Sequence, residues 1–150
     1  MAENTVKKDK QTMGKLPPQN LEAEQSLLGS LLIDKDAIIK VADIVGPEDF
    51  YSDKHRMIFE SIIDLYGKRE PIDLLTLANN LEEKEKLEDI GGRSYLVSLS
   101  NMVPTSSHVV NYAEIVQKKS TLRSLVLDLS SLSILLALLL IASTTLLVES

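Results

Sequence analysis

The stretch Pro17-Pro18-Gln19-Asn20-Leu21-Glu22-Ala23-Glu24-Gln25-Ser26-Leu27-Leu28-Gly29-Ser30-Leu31-Leu32 decides how the chain is read. Two prolines stop any preceding structure, because each locks φ and restricts the residue before it. Asn20 is then placed to cap a helix, and Glu22 and Glu24 put negative charge in its first turn, where the helix dipole favours it. Leu21, Leu27, Leu28, Leu31 and Leu32 recur at helical spacing and form one apolar face. The spacing predicts an amphipathic helix from Asn20 to about Ile33 that docks against the rest of the chain.

Outward from that helix the same signals repeat. Asp34-Lys35-Asp36 turns the chain into a second short helix running to about Val45, which Gly46-Pro47 ends. Pro47-Glu48-Asp49-Phe50-Tyr51 reads as a tight connector whose two aromatics plug the core. Ser52 is the next cap, opening a helix to Tyr66 with Ile58, Ile62 and Leu65 on one face and Phe59, Ile63 and Tyr66 on a neighbouring one. A helix apolar on two faces is central in a small bundle. Asp73 caps a fourth helix through Leu74, Leu77, Ala78 and Leu81, and the run Glu82-Glu83-Lys84-Glu85-Lys86 is a solvated face. Gly91-Gly92 turns into a fifth helix from about Arg93 to Asn101, with Leu96 and Leu99 inward. Val103-Pro104-Thr105 breaks it, and Ser106 or Ser107 starts a sixth that carries Val109, Val110, Ala113 and Val116. No segment alternates as a strand does, so the expected fold is all-α: about six short helices in one globule, then a long apolar C-terminal helix or a helical hairpin over 124–150.

Composition narrows the function. The 150 residues are enough for one core, and 44% hydrophobic with 25% charged residues describes a folding chain. There is no cysteine, which suits a reducing cytoplasm and excludes disulfides and thiolate metal sites. Four Tyr, two Phe and no Trp supply few platforms for stacking single-stranded bases. A formal charge of −6 opposes a direct duplex-DNA footprint. Residues 1–15 are polar, carry Lys7, Lys8, Lys10 and Lys15, and read as a flexible basic arm rather than a signal sequence.

The chemistry of an active site is missing. The glycines at 14, 29, 46, 67, 91 and 92 open no phosphate-cradling loop with its Lys and Ser or Thr. Gly91-Gly92-Arg93-Ser94 is read as a turn before a helix rather than an anion site. His55 and His108 stand in no ligand-spaced cluster and are read as surface or cap-side residues. The serines have no nucleophile elbow. Catalytic, cofactor and metal residues are therefore none in this segment, and binding is the expected job.

The composition changes abruptly after Arg123. All 16 Lys and Arg lie at or before it, and residues 124–150 hold only Asp128 and Glu149 as charges, with no Gly or Pro. Residues 129–148 are 20 uncharged positions, a bilayer-spanning length. The same stretch carries a helix-packing seam at Leu125, Leu129, Leu132, Leu136, Leu139 and Leu146, broken at Ser143. A third reading takes its restricted alphabet as a shifted frame or an approximate sequence. A tail-anchored membrane protein using 129–148 is the alternative function, but no Lys or Arg follows the span and no Trp or Tyr flanks it.

Six blocks in register carry a family resemblance: the stretch 17–29; Pro47-Glu48-Asp49-Phe50-Tyr51 with His55 and Ile58-Phe59; Glu70-Pro71-Ile72-Asp73; Leu87 through Leu96; Val103-Pro104-Thr105-Ser106; and Tyr112-Ala113-Glu114-Ile115-Val116. In this order and spacing, residues 16–123 resemble the N-terminal domain of bacterial replicative DNA helicases of the DnaB type. The resemblance implies an all-α globule followed by a helical hairpin. It implies self-association into dimers and a hexameric collar built as a trimer of dimers, binding of primase, and a helicase loader as a further partner. It also implies that ATP, Mg²⁺ and unwinding belong to a C-terminal motor outside these residues. Two positions match the family's primase-contact region: Glu22 on the first helix and Tyr95 beside the double glycine. After Thr121-Leu122-Arg123 the match stops, because the family continues with more basic and polar residues.

Overall fold

A computed structural model describes residues 16–148, so the Lys-rich arm expected over 1–15 lies outside the described residues. Six α-helices follow one another: α1 Leu21–Ile33, α2 Ala37–Val41, α3 Asp53–Gly67, α4 Leu74–Glu83, α5 Gly92–Asn101 and α6 Val109–Val148, with a 3-10 turn at Pro47–Asp49 before α3. No strand occurs among the described residues.

α1 is the element the others pack around, lying against α5, α6 and α3. Asn20 caps it, its side-chain oxygen accepting the Ala23 N–H at 2.9 Å. Leu27, Leu28 and Leu31 are completely buried, and each contributes about 2 to 5 kcal/mol on the scale of large-to-alanine core substitutions. Leu21, expected on the same face, is 43% exposed because it starts the helix at its edge. Gly29 is where α1 meets the end of α5: a Cβ there would overlap the Leu99 carbonyl oxygen and lie 3.2 Å from Val103 Cγ2.

α3 supplies the second layer with Ile58, Phe59, Ile62 and Leu65, all fully buried. The connector does plug the core, but through Phe50 alone, whose ring lies 4.9 Å from that of Phe59. Tyr51 is half-buried, and Tyr66, expected on a packed face, is 42% exposed. α2 is shorter than the sequence suggests, ending at Val41. The Ile44 amide reaches back only three residues to the Val41 carbonyl, tightening the chain before Gly46-Pro47 while Val45 stays buried. Asp73 caps α4 through the Thr76 N–H at 2.8 Å. Gly91 and Gly92 adopt φ of 103° and 74°, which side-chain-bearing residues rarely do, and this left-handed turn aims α5 back across α1.

Of the two forms expected for the tail, a long helix or a hairpin, the described residues show the long helix. It continues the sixth helix without a break, so α6 runs for 40 residues. Its sequence contains no Gly or Pro to interrupt the ladder. Val109, Ala113 and Val116 bury against the globule, whereas every residue from Ser124 to Val148 is exposed. By length and composition alone, α6 is long and apolar enough to cross a membrane.

Candidate functional site: a Glu–His–Tyr relay beneath α5

The most unusual chemistry of the globule is a polar chain threaded through its apolar interior. Glu24 faces inward from α1 and is only 2% exposed. One carboxylate oxygen accepts the Tyr51 backbone N–H at 2.6 Å. The other accepts the Ser52 N–H at 3.3 Å and lies 2.6 Å from His55 Nδ1. The sequence places Glu24 as a first-turn acid favoured by the dipole of its own helix, and Ser52 as the cap of α3. Instead the Ser52 side chain makes no capping bond, and the Glu24 carboxylate arrives from another helix to serve the amides leading into α3. A carboxylate on a helix N-terminus is favoured by both hydrogen bonding and the dipole.

His55 is also not where the sequence reading put it. It is 1% exposed, a core residue held from both sides of its ring. Its Nε2 lies 2.7 Å from the Tyr95 hydroxyl, which also accepts the Gln25 side-chain N–H at 3.3 Å. Imidazole with its proton on Nδ1 satisfies the whole chain. Gln25 then donates to the Tyr95 oxygen, the Tyr95 hydroxyl donates to Nε2, and Nδ1–H donates to Glu24. That tautomer is assigned from the partners. The His55 and Tyr95 rings are nearly parallel, 8° apart with centroids at 6.1 Å. The Lys54 ammonium sits 4.0 Å from the Tyr95 ring centroid.

A carboxylate, an imidazole and a hydroxyl in series resemble a proton relay. Here the carboxylate is engaged by two backbone amides as well as the imidazole, and the hydroxyl is turned inward onto His55. The arrangement therefore orients Tyr95, leaving its ring half-buried at the surface of α5 with its hydroxyl committed to the core.

Glu22, the other candidate, is exposed and forms no ion pair among the described residues. It borders a shallow groove of about 190 Å³ with Asn20, Ala23, Ser26, Tyr112 and Ile115, between α1 and α6. Tyr95 faces Gln25, Lys54 and His55 instead. The structure thus does not bring Glu22 and Tyr95 into one contact. Arg123 closes the far side: its guanidinium donates to the Pro18 carbonyl at 2.8 Å and the Asp49 carbonyl at 2.5 Å, and lies 5.7 Å from the Tyr51 ring centroid. Arg123 thereby ties α6 to the segments that precede α1 and α3.

The sequence reading missed Glu24, Gln25, Lys54 and Arg123. For Glu24 a signal was present: positions 24, 27, 28 and 31 share one helical face, so an acid stands in line with three core leucines.

Elsewhere Asp64 accepts from Lys84, Lys68 and Asn80 on one oxygen, tying the end of α3 to α4. These donors, Lys84 foremost, hold its carboxyl far below the usual carboxylate range. The Ser106 hydroxyl, donating at 2.7 Å, lowers Asp34 likewise.

Residues 16–118 match the family model described as the DnaB-like helicase N-terminal domain. The chain belongs to this family. Among curated DnaB relatives it is similar to the replicative DNA helicase DnaB of Geobacillus stearothermophilus, 42% identical over 119 residues, covering 79% of this chain and 26% of the relative. The DnaB of Mycobacterium leprae is 45% identical over 113 residues, covering 75% of this chain and 19% of the relative. The chain thus spans about a fifth to a quarter of the length of these relatives. In three dimensions it is similar to the crystal structure of the N-terminal domain of DnaB helicase from Mycobacterium tuberculosis. That likeness has a TM-score of 0.73 and 46% identity, covering 74% of this chain and 77% of the other. A second likeness is to a DnaB-like replicative helicase whose structure is described with its interactions with primase, at TM-score 0.67 and 28% identity, covering 75% and 26%. The all-α reading and the resemblance to the DnaB N-terminal domain are borne out. The membrane-anchored alternative finds no support in these comparisons.

Proposed function

We propose that this chain acts as the N-terminal interaction domain of a replicative DNA helicase in the cytoplasm, binding primase and associating with further copies of itself. The observation that carries the reading is the family match over residues 16–118. The likeness to a DnaB-like helicase described with its interactions with primase supports the choice of partner. ATP-driven unwinding is assigned to the part of the protein that the longer relatives have in addition, and no catalytic group or cofactor is assigned to these residues. Self-association is assigned to α6, whose leucines from Leu125 to Leu147 are more than half exposed and need cover. The Tyr95 surface of α5 is the proposed primase contact, with Glu22 as a second, separate contact on the α1–α6 groove.

Titration of primase against the wild-type chain and Tyr95→Ala tests this. Weaker binding by a still-helical Tyr95→Ala supports the contact, and unchanged affinity in a folded variant removes Tyr95 from the interface.

A further inference from the structure

Resting on the reading of the Tyr95 surface as a partner contact, we propose that the group presented there for recognition is the Lys54 ammonium. It is seated on the Tyr95 ring and pairs with a carboxylate on the partner protein. The Tyr95 hydroxyl is committed inward, to His55 Nε2 at 2.7 Å and Gln25 at 3.3 Å, so it has little left to offer a partner. What covers the ring is Lys54, 4.0 Å from its centroid. A cation over an aromatic face is held electrostatically by the ring quadrupole, which places a long, flexible side chain before any partner arrives. Preplacement of this kind lowers the ordering cost of binding.

The local charges leave Lys54 without a counterion. No carboxylate lies within ion-pair distance of it among the described residues, whereas Lys68, Lys84 and Lys86 each have one. Asp53, its neighbour on α3, is paired with Arg56 at 3.3 Å. Glu24, the acid built into this corner, is spent on the Tyr51 and Ser52 amides and on His55. Lys54 is moreover the second residue of α3, where the helix dipole disfavours a cation. Its charge therefore works against the stability of α3, and in a chain of net charge −6 it forms a fixed positive point. Such a point suits an acidic side chain on a partner surface, and charge complementarity of this kind sets specificity and association rate. Tyr95, and behind it His55 and Glu24, are positioning residues in this arrangement.

Full-length bacterial primase is titrated against the wild-type chain, Lys54→Arg, Lys54→Glu and a charge-matched control, Lys35→Glu, at low and high salt. Lys54→Glu is expected to weaken binding about tenfold at low salt and to flatten its salt dependence. Lys54→Arg is expected to keep most of the affinity, and Lys35→Glu all of it. Thermal melting of Lys54→Glu should be unchanged or raised, which separates a recognition role from a structural one. Wild-type affinity in Lys54→Glu overturns the proposal, as does an equal loss in Lys35→Glu, which would mean diffuse charge alone. Absence of binding by the wild-type chain overturns the primase reading itself, and this proposal with it.

Discussion

The Glu24 carboxylate on α1 lies 2.6 Å from His55 Nδ1 on α3, and the two side chains are 2% and 1% exposed. This contact joins the helix that opens the domain to the helix at its centre, and it fixes Tyr95 on a third.

Glu24→Ala should destabilise the domain by about 3 to 5 kcal/mol, since it leaves His55 and two backbone amides without their buried acceptor. Glu24→Gln keeps the shape but offers a single acceptor oxygen, and should cost about 1 to 3 kcal/mol. Urea unfolding followed by circular dichroism measures both. A loss under 1 kcal/mol in the alanine variant would mean the relay carries little of the fold.

Tyr95→Phe removes the hydroxyl but retains the ring and the seat of Lys54. It should cost about 1 to 2 kcal/mol in stability, because His55 Nε2 loses its donor. Its loss should be non-additive with that of Glu24→Gln, with a coupling above about 0.5 kcal/mol, because both act on one chain of hydrogen bonds. A double-mutant cycle reads the coupling directly.

Gly29→Ala should destabilise by about 1 to 3 kcal/mol despite the better helix propensity of alanine. The added methyl group meets the Leu99 carbonyl, which belongs to the backbone of α5 and cannot turn aside as a side chain can. Equal or greater stability in the variant would show that α1 and α5 do not approach as closely as described.

Acid sensitivity should trace in part to Asp64. Its folded carboxyl titrates well below the ordinary value of 3.8, through bonds from Lys84, Lys68 and Asn80. A lowered folded pKa contributes stability that is present above the unfolded pKa and lost as pH falls below it towards the folded one. Asp64→Asn should therefore lower the urea midpoint near neutral pH, with the gap to wild type shrinking as pH drops below about 4. A gap independent of pH would show that the clamp is not electrostatic.

Much of the fold was legible because its signals are local. The Asn20 and Asp73 caps, the Gly91-Gly92 turn and the helical spacing of Leu27, Leu28 and Leu31 each act within a few residues. The relay was not legible, since Glu24 and His55 are 31 residues apart and His55 and Tyr95 are 40 apart. The leucine face that Glu24 shares hints at its inward position, but nothing along the chain announces that His55, read as a surface or cap-side residue, will meet it in the core. Tyr95 was singled out by family resemblance, and only the packing reveals that its hydroxyl points away from solvent. The fate of residues 124–148 was legible in propensity but not in topology. The absence of Gly and Pro allows one long helix, and residues 124–148 stay exposed among the described residues.

Light scattering coupled to size-exclusion chromatography, run on the chain alone and mixed with primase, tests the interaction-domain account most directly. The account predicts a dimer or larger species for the chain alone and a heavier complex when primase is added. A monomer at every concentration that never co-elutes with primase would contradict it.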